Sequence, residues 1–390
     1  MIYSLKQLGF PPADDQIEIT VFGPGYGESI VVYIPGLGWG VIDSCRYEFK
    51  NTTYILPLEY LKAYNVTSLC FVILTHPHAD HYRGMGEILR HFDSSIKRIC
   101  RYSGKGIREF KTYLTELESQ KGDRQGDIRE LMKLFKLMGY LQNEKGVKLR
   151  RLSELTEIIP AKNVSLKNHS KVRVRLISLS PSSASEEEYE RLLDQTTVKA
   201  IVEGDLARLL DLNDRRHNLI ASALLLEIGT IQIVLGSDLE RGDSNQTGWK
   251  GVCSNVDCPN LSAHMVKVPH HGSHAAHYDQ AWNAHSSSGR LVSVVSPYNK
   301  SSPPLPRISD INRIKKYCIQ VGLTSYSGLR RADEAYSREV RRAIGNNIRK
   351  SWLISSGKSR PGFARIRFNL GGEIVEQKAI PPAKWISGYI

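Results

Sequence analysis

The 390-residue sequence predicts an α/β protein organised around strands that end in metal-binding side chains. Apolar runs of strand length alternate with glycine-rich turns and with segments of helical spacing. One apolar run, Cys70 to Leu74, leads directly into a motif of the form H-x-H-x-D-H at residues 76–81. Two later apolar runs also end in an aspartate or in paired histidines.

The first part of the chain predicts three antiparallel strands between residues 17 and 45, joined by tight turns. The glycines at 23, 25 and 27 could cradle a phosphate, but neither a Lys-Ser pair nor a helix follows them, which favours a turn. Asp43 ends the third strand. We expect its carboxylate to orient a metal-binding imidazole.

The H-x-H-x-D-H motif is the strongest functional signal. His76 and His78 are two residues apart, so on an extended chain they point to the same side. Asp80 and His81 fall where the chain turns into a helix predicted from Gly84 to Phe92. A single loop histidine usually only forms hydrogen bonds. Three histidines and an aspartate at this spacing predict a metal site.

Two later strands end in further candidate ligands. The segments 219–227 and 230–235 predict a hairpin that delivers Asp238, and a short strand near Val266 leads into His270 and His271. An isolated aspartate after a strand is often only a turn residue. Because three separate strand ends offer ligands, we predict that they meet at one site.

The segments between these motifs have ordinary patterns. Apolar spacing predicts helices at 56–64, 107–117 and 128–141, and strands at 97–102 and 171–180. The last two helices form an insertion at about 104–152, which either packs on the sheet or serves as a lid. The acidic stretch 182–195 predicts a helix on the surface.

Composition bounds the protein class. Six scattered cysteines suit a reducing compartment; Cys253 and Cys258 favour two free thiols over a small zinc site. The sequence lacks a recognisable secretory signal and an uninterrupted apolar stretch of membrane-spanning length, so we expect a cytoplasmic protein without membrane contact.

The ordered motifs, with Pro269-His-His-Gly-Ser273 as the last, resemble the metallo-β-lactamase fold. Within it they are similar to the nuclease-like domain of the DNA-uptake competence protein ComEC. The resemblance implies a four-layer αββα sandwich over residues 1–376. That domain would include the helical insertion and a basic part at about 301–376, and 377–390 would be a C-terminal tail.

The resemblance also implies two divalent metal ions, zinc or manganese. His76 and His78 would hold the first ion; Asp80, His81 and His271 would hold the second, and Asp238 would bridge them. The family often supplies one more histidine to the first metal, for which His217, His169 and also Asn218 stand in the right interval. Asp80 and His270 would be catalytic, with His270 contacting a phosphate or protonating a leaving group. The expected substrate contacts are Ser273, His274, Arg313 and Lys316.

The resemblance implies that a hydroxide shared by the two metals attacks an amide, a thioester or a phosphodiester. Charge favours the last, because residues 301–390 carry 17 Lys and Arg against 6 Asp and Glu in a chain of net charge +13. We therefore expect a nuclease that cuts DNA or RNA, although a basic face can also be merely solvated. The alternatives are a hydrolase of small phosphodiesters or phosphorylated head groups, and a degenerate or partner-activated subunit of an operon-encoded system. The oligomeric state is left open.

Overall fold

The computed structural model describes residues 2–49, 51–104, 125–203, 215–325 and 361–388. Most of the described strands belong to two eight-stranded sheets. In chain order, the strands are β1 (Ile17–Phe22), β2 (Ser29–Ile34), β3 (Gly38–Ile42), β4 (Arg46–Phe49), β5 (Thr52–Ile55), β6 (Phe71–Leu74), β7 (Arg98–Arg101), β8 (Lys148–Arg151), β9 (Glu157–Ser165), β10 (Lys171–Ser178), β11 (Leu224–Ile228), β12 (Ile231–Leu235), β13 (Met265–Lys267), β14 (Val292–Val295), β15 (Gln320–Leu323), β16 (Phe363–Phe368), β17 (Ile374–Ile380) and β18 (Lys384–Ser387).

The described helices are α1 (Leu5–Leu8), α2 (Leu56–Ala63), α3 (Ala79–Tyr82), α4 (Met85–Phe92), α5 (Gln125–Lys145), α6 (Ser183–Glu203), α7 (Gly248–Ser254), α8 (Asp279–Ser286) and α9 (Ile308–Lys315). Of the two helices predicted in the insertion, 107–117 lies outside the described residues, and 128–141 falls within α5. Within the described part of the chain, no helix is both long enough and apolar enough to cross a membrane.

Both sheets mix parallel and antiparallel pairs. The first has the order β17-β16-β1-β2-β3-β6-β7-β8, and the second β18-β15-β14-β13-β12-β11-β10-β9. The pairs from β3 to β8 are parallel in the first sheet, as are those from β12 to β15 in the second. Strands β4 and β5 form a separate hairpin.

Three apolar clusters define four layers. The middle cluster lies between the sheets and joins side chains such as Ile19 and Ile73 of the first sheet to Leu226 and Ile233 of the second. A second cluster packs α2, α4 and α5 on the outer face of the first sheet. The third packs α7, α8 and α9 on the outer face of the second sheet. The predicted four-layer αββα sandwich is therefore confirmed.

Some segments differ from the expectation. The expected tail from 377 onward contains the end of β17 and all of β18, which pairs with β15 in the second sheet. The expected insertion ends in β8, a strand of the first sheet. The acidic helix α6 is not purely a surface feature, because it carries the fully buried Tyr189. These differences arise from long-range pairing, which local periodicity does not report.

Two C-terminal arginines lie inside the protein rather than on a basic face. Arg365 and Arg367 of β16 are 1% and 6% exposed. Arg367 Nε lies 2.8 Å from Glu18 Oε2, and Arg365 Nη1 donates to the Tyr60 hydroxyl at 3.0 Å. Both guanidinium groups also pair with Glu376. These two charges were counted in the basic part of the chain, but they are paired inside the protein and do not contribute to a basic surface.

Candidate metal centre

The H-x-H-x-D-H motif is fastened to the neighbouring strand by Asp43. Its Oδ1 accepts a hydrogen bond from the Thr75 backbone at 2.8 Å, and its Oδ2 accepts one from the Thr75 hydroxyl at 2.8 Å. The same Oδ2 lies 2.8 Å from His81 Nδ1. Because β3 and β6 are adjacent and parallel, the residues that follow them meet at one edge of the sheet. Asp43 thereby sets the orientation of the His81 ring, as was expected for it.

Two groups of buried ligand atoms converge at this edge and share Asp238. The first joins His76, His78 and Asp238, with ligand atoms within 4.8 Å of one another. His76 Nε2 lies 2.9 Å from His78 Nδ1 and 4.0 Å from Asp238 Oδ2. Asp238 follows β12, so the second sheet supplies the carboxylate that faces the histidines of the first.

The second group surrounds Asp80 and Asp238. His271 Nε2 lies 3.2 Å from Asp80 Oδ2 and 3.6 Å from Asp238 Oδ2. His81 Nε2 lies 3.7 Å and 3.5 Å from the same two oxygens. All six residues predicted as metal ligands are thus brought together. The order of strand ends in the sandwich brings residues almost two hundred positions apart into one cluster.

A buried ion pair that the sequence analysis missed lies behind the second group. Glu28 is 1% exposed and Lys267 fully buried, and the Lys267 ammonium donates a short hydrogen bond to Glu28. Glu28 Oε2 lies 3.5 Å from His271 Nδ1, and its Oε1 lies 3.9 Å from His81 Nδ1. Glu28 therefore approaches the Nδ1 atoms of these rings, and one of its oxygens lies within 4.8 Å of ligand atoms of His81, Asp238 and His271, so Glu28 is a further candidate ligand. An acidic residue opposite a lysine 239 positions later carries no local sequence signal.

The turn that presents His271 has an unusual backbone. His270 and His271 have φ values of 45° and 53°, and Gly272 has 82°. Left-handed conformations cost non-glycine residues about 1–3 kcal/mol each and persist only where surrounding contacts enforce them. One such contact is the hydrogen bond from His271 Nδ1 to the Ser296 carbonyl at 2.8 Å. This bond fixes the ring so that Nε2 points to the carboxylates.

Of the three candidates for the further ligand of the first metal, His217 lies beside the histidines of the motif. Its ring centroid lies 5.3 Å from that of His78, and its Nδ1 lies 3.0 Å from the Tyr189 hydroxyl. His217 would therefore bind a metal through Nε2. Asn218 instead donates to Glu240 Oε1 at 3.0 Å. His169 is exposed in the turn after β9, the edge strand of the second sheet, and is not part of the ligand cluster.

The electrostatics of the cluster suit metal binding. Burial alone would raise the pKa of Asp80, but His81 and His271 more than offset it and hold the pKa below its usual range. The pKa of Asp238 is lowered for the same reasons. Burial, reinforced by His81 and His78, lowers the pKa of His76. Burial alone would lower the pKa of His81 and of His271, but the carboxylates of Asp80 and Asp238 more than offset it and raise both. Charged carboxylates and neutral imidazoles are the forms that bind a cation, so a cation would displace protons from these two rings.

The cluster opens into a cavity of about 420 Å³. Its lining includes Asp80, Asp238 and His271, together with His270, Glu240 and Asn218. His270 Nδ1 lies 3.2 Å from Glu240 Oε1, and the His270 side chain is 18% exposed. His270 therefore reaches the cavity with a carboxylate at its back, an arrangement that can hold or donate a proton.

Of the four predicted substrate contacts, one lines the cavity. Ser273 lines the cavity, whereas His274 and Lys316 are exposed and are not among its lining residues. Arg313 is directed inward: it pairs with Asp310 at 2.7 Å and donates to the Gly272 carbonyl at 3.0 Å. Arg313 holds the turn of His270 and His271 in place, so its expected role as a substrate contact is not supported.

Cys253 and Cys258 lie apart from the ligand cluster. Both are half-buried, and desolvation raises the pKa of each thiol to about 11.

The residues present fit a pair of divalent cations. His81 Nε2 and Asp238 Oδ1 are buried without a hydrogen-bond partner of acceptable geometry in the described part of the chain. Such orphaned atoms cost about 1–3 kcal/mol each unless something else satisfies them. Imidazole and carboxylate donors satisfy zinc or manganese. The donor set thus offers two groups of candidate ligands for a divalent cation, and both groups include Asp238.

Solved structures show partial likenesses. A mutant of the CmlA β-hydroxylase matches at 12% identity and a TM-score of 0.31 over 66% of this chain, which spans only 36% of that protein. A new diphosphatase of the PhnP family matches at 11% identity and a TM-score of 0.31, covering 71% of this chain and 85% of that one. Human tRNase Z, short form, matches at 13% identity and a TM-score of 0.33, covering 71% and 91%. At such scores these likenesses carry no functional argument.

Comparison with protein-family profiles gives one match, which covers part of the chain. The comparison with curated protein sequences finds no significant match. Residues 24–114 match the profile of the metallo-β-lactamase superfamily. The matched segment contains Glu28, Asp43 and the whole H-x-H-x-D-H motif, and the two-sheet sandwich agrees with that fold. The match to this superfamily therefore covers residues 24–114, the part of the chain that carries the first ligand motif.

Proposed function

We propose that this protein is a phosphodiesterase that depends on two divalent cations and that its substrate is a nucleic acid. The observation that carries the proposal is the convergence of two buried ligand groups on Asp238, at the floor of a cavity large enough for a nucleotide-sized group. The resemblance to the nuclease-like domain of ComEC supports the same substrate class.

Within this proposal, His76, His78 and His217 would hold one cation, Asp80, His81 and His271 would hold the other, and Asp238, which belongs to both ligand groups, would be shared. The cations would supply Lewis-acid activation of water and of the phosphoryl oxygens. The chain's own residues orient them: Asp43 holds His81, the Ser296 carbonyl holds His271, and Tyr189 holds His217. These contacts keep the Nε2 atoms of all three rings available for the metals.

His270 is the proposed proton donor to the leaving oxygen. It lies on the cavity wall beside Asp238, and Glu240 contacts its Nδ1. As water forms the new bond to phosphorus and releases one proton to the solvent, the ester bond breaks and its oxygen takes a proton from His270, which the solvent then replaces. Glu240 Oε1, 3.2 Å from His270 Nδ1, orients the ring for this transfer.

Fewer cations are available for a nucleic acid than the charge count along the sequence suggests. Arg365 and Arg367 are structural, whereas the nine Lys and Arg residues of the segment 326–360 lie outside the described residues. Among the described Lys and Arg residues, Arg83 and Lys300 line the cavity. A pair of cations on the cavity wall favours an anionic substrate.

A first experiment measures metal content and cleavage together. The purified chain should contain about two divalent ions by mass spectrometry. It should also hydrolyse bis-p-nitrophenyl phosphate and at least one of single-stranded DNA, duplex DNA or RNA. Asp238→Ala and His76→Ala should lower both activities at least about 100-fold, because each removes a metal ligand. His169→Ala, an exposed histidine outside the cluster, is the matched control and should behave as wild type. Wild-type activity in Asp238→Ala would refute the proposal.

A hydrolase of small phosphodiesters is the second candidate, favoured by the recessed position of the ligand cluster below the cavity. Salt separates the two. Affinity for a polynucleotide should fall steeply between about 50 and 200 mM salt, whereas cleavage of a small diester should barely change. Salt-independent cleavage without retention of DNA would favour the small substrate.

A further inference from the structure

A second cavity adjoins the cluster of candidate metal ligands. It has a volume of about 290 Å³. The two cavities share Tyr26, Ala79, Asp80, Arg83 and Lys300 as lining residues. They therefore adjoin at these five residues, called the junction here, which include a proposed metal ligand. A chain-like substrate can extend from one cavity toward the other while its reacting phosphate lies at the ligands.

The cationic side chains lie at this junction. The Lys300 ammonium lies 5.5 Å from the centre of the Tyr26 ring, and Lys300 is otherwise exposed. Arg83 is half-buried, follows α3 directly, and acts electrostatically on the Tyr298 hydroxyl. Arg46 lines only the second cavity, where it pairs with Glu130 at 2.6 Å. The cationic pair at the junction is thus Arg83 and Lys300.

The elements that carry these residues are held in place. The Asn299 backbone donates to the Gly25 carbonyl at 2.7 Å, which ties the loop of Lys300 to the loop of Tyr26. Tyr298 and Leu305 exchange backbone hydrogen bonds that close the first of these loops. Arg83 is placed by the same short helix that places Asp80 and His81. The junction therefore has a set geometry relative to the metal ligands.

We infer that Arg83, Lys300 and Tyr26 form a subsite for the nucleotide next to the cleaved bond, and that this subsite selects single-stranded polynucleotide over duplex. The inference rests on the proposed function. A cationic groove with an aromatic side chain is the combination that binds single strands, through the phosphates and through packing of a base or sugar on the ring. A stiff duplex cannot bend into a groove whose ligands are recessed, whereas a single strand can.

Binding gives the first test. The full chain, freed of metal by EDTA, is titrated against fluorescein-labelled oligothymidylate and followed by anisotropy. Lys300→Ala should weaken binding about fivefold and reduce the slope of log affinity against log salt by about 0.7, the value for one lost single-strand phosphate contact. Lys300→Arg should restore both. Lys162→Ala, an exposed lysine on the edge strand β9, should match wild type.

Competition gives the second test, with an unlabelled hairpin duplex and an unlabelled single strand of the same sequence. The single strand should compete at least about tenfold better. Equal competition by the duplex, unchanged affinity and salt slope in Lys300→Ala, or no binding by the wild-type chain would each overturn the inference. Hydrolysis of bis-p-nitrophenyl phosphate by the metal-loaded wild type is measured in parallel. Its absence would count against the proposed function, whereas its presence alongside any of those binding results would count against the subsite alone.

Discussion

Replacing Lys267 with methionine should destabilise the fold far more than breaking a surface ion pair. Lys267 is fully buried, and its ammonium donates to Glu28 and to the Ser237 carbonyl at 3.3 Å. Methionine keeps most of the side-chain volume, so the main effect is the loss of charge. The carboxylate of Glu28 would then remain buried without its cation beside the rings of His81 and His271.

The magnitude follows from the burial. Leaving one partner of a buried ion pair uncompensated costs about 3–5 kcal/mol, whereas an exposed pair contributes about 0–1 kcal/mol. Glu28→Gln combined with Lys267→Met removes both charges. The double variant should recover much of the loss, and the cycle should give a coupling free energy of about 2–3 kcal/mol.

The assay is urea unfolding of EDTA-treated proteins, followed by tryptophan fluorescence. Arg175→Met is the matched control, because Arg175 pairs with Glu157 at 3.1 Å while their side chains are 27% and 40% exposed. It should change the free energy of unfolding by less than about 1 kcal/mol. If Lys267→Met is no more destabilising than this control, the burial argument is wrong.

Other substitutions test other parts of the structure. Desolvation lowers the pKa of the buried His285 to about 4. The stability that its neutral ring contributes is complete above about pH 6.5 and is lost as the pH falls toward about 4, by about 3 kcal/mol. His285→Asn, which keeps a donor for the Leu261 carbonyl, should reduce the acid sensitivity of the urea midpoint. Arg365→Met should lower the free energy of unfolding by about 3–5 kcal/mol without changing the salt slope of oligonucleotide binding, which a surface contact would alter. His217→Ala should lower the metal content from about two ions to about one, measured by mass spectrometry.

The ligand motif and most strands are predictable because their signals are local. Period-two alternation marks β1 and β10, and the spacing of His76, His78 and Asp80 is readable within a few residues. The extension of the strands beyond 376 was missed because β17 and β18 are half-exposed edge strands that lack a strong apolar run. Their positions depend on partners elsewhere in the sheets.

The surroundings of the ligands were less predictable. In the sequence, Glu28 has the pattern of a turn residue and Lys267 that of a strand residue. Their pairing becomes visible only in the packed structure, where the two sheets meet. Arg313 was expected to contact the substrate, although its guanidinium pairs with Asp310 and donates to the Gly272 carbonyl. Charge counted along the chain does not reveal which cations are already paired.

The sequence by itself determined the candidate metal ligands and the strands that carry them, because both depend on residue type and short spacing. Only the tertiary structure decided that Asp238 joins both ligand groups, that His217 rather than His169 stands beside His78, and that Arg365 is internal. Those outcomes depend on which strand ends share an edge and which side chains lose water on folding. Both are properties of packing between segments that are distant in the chain.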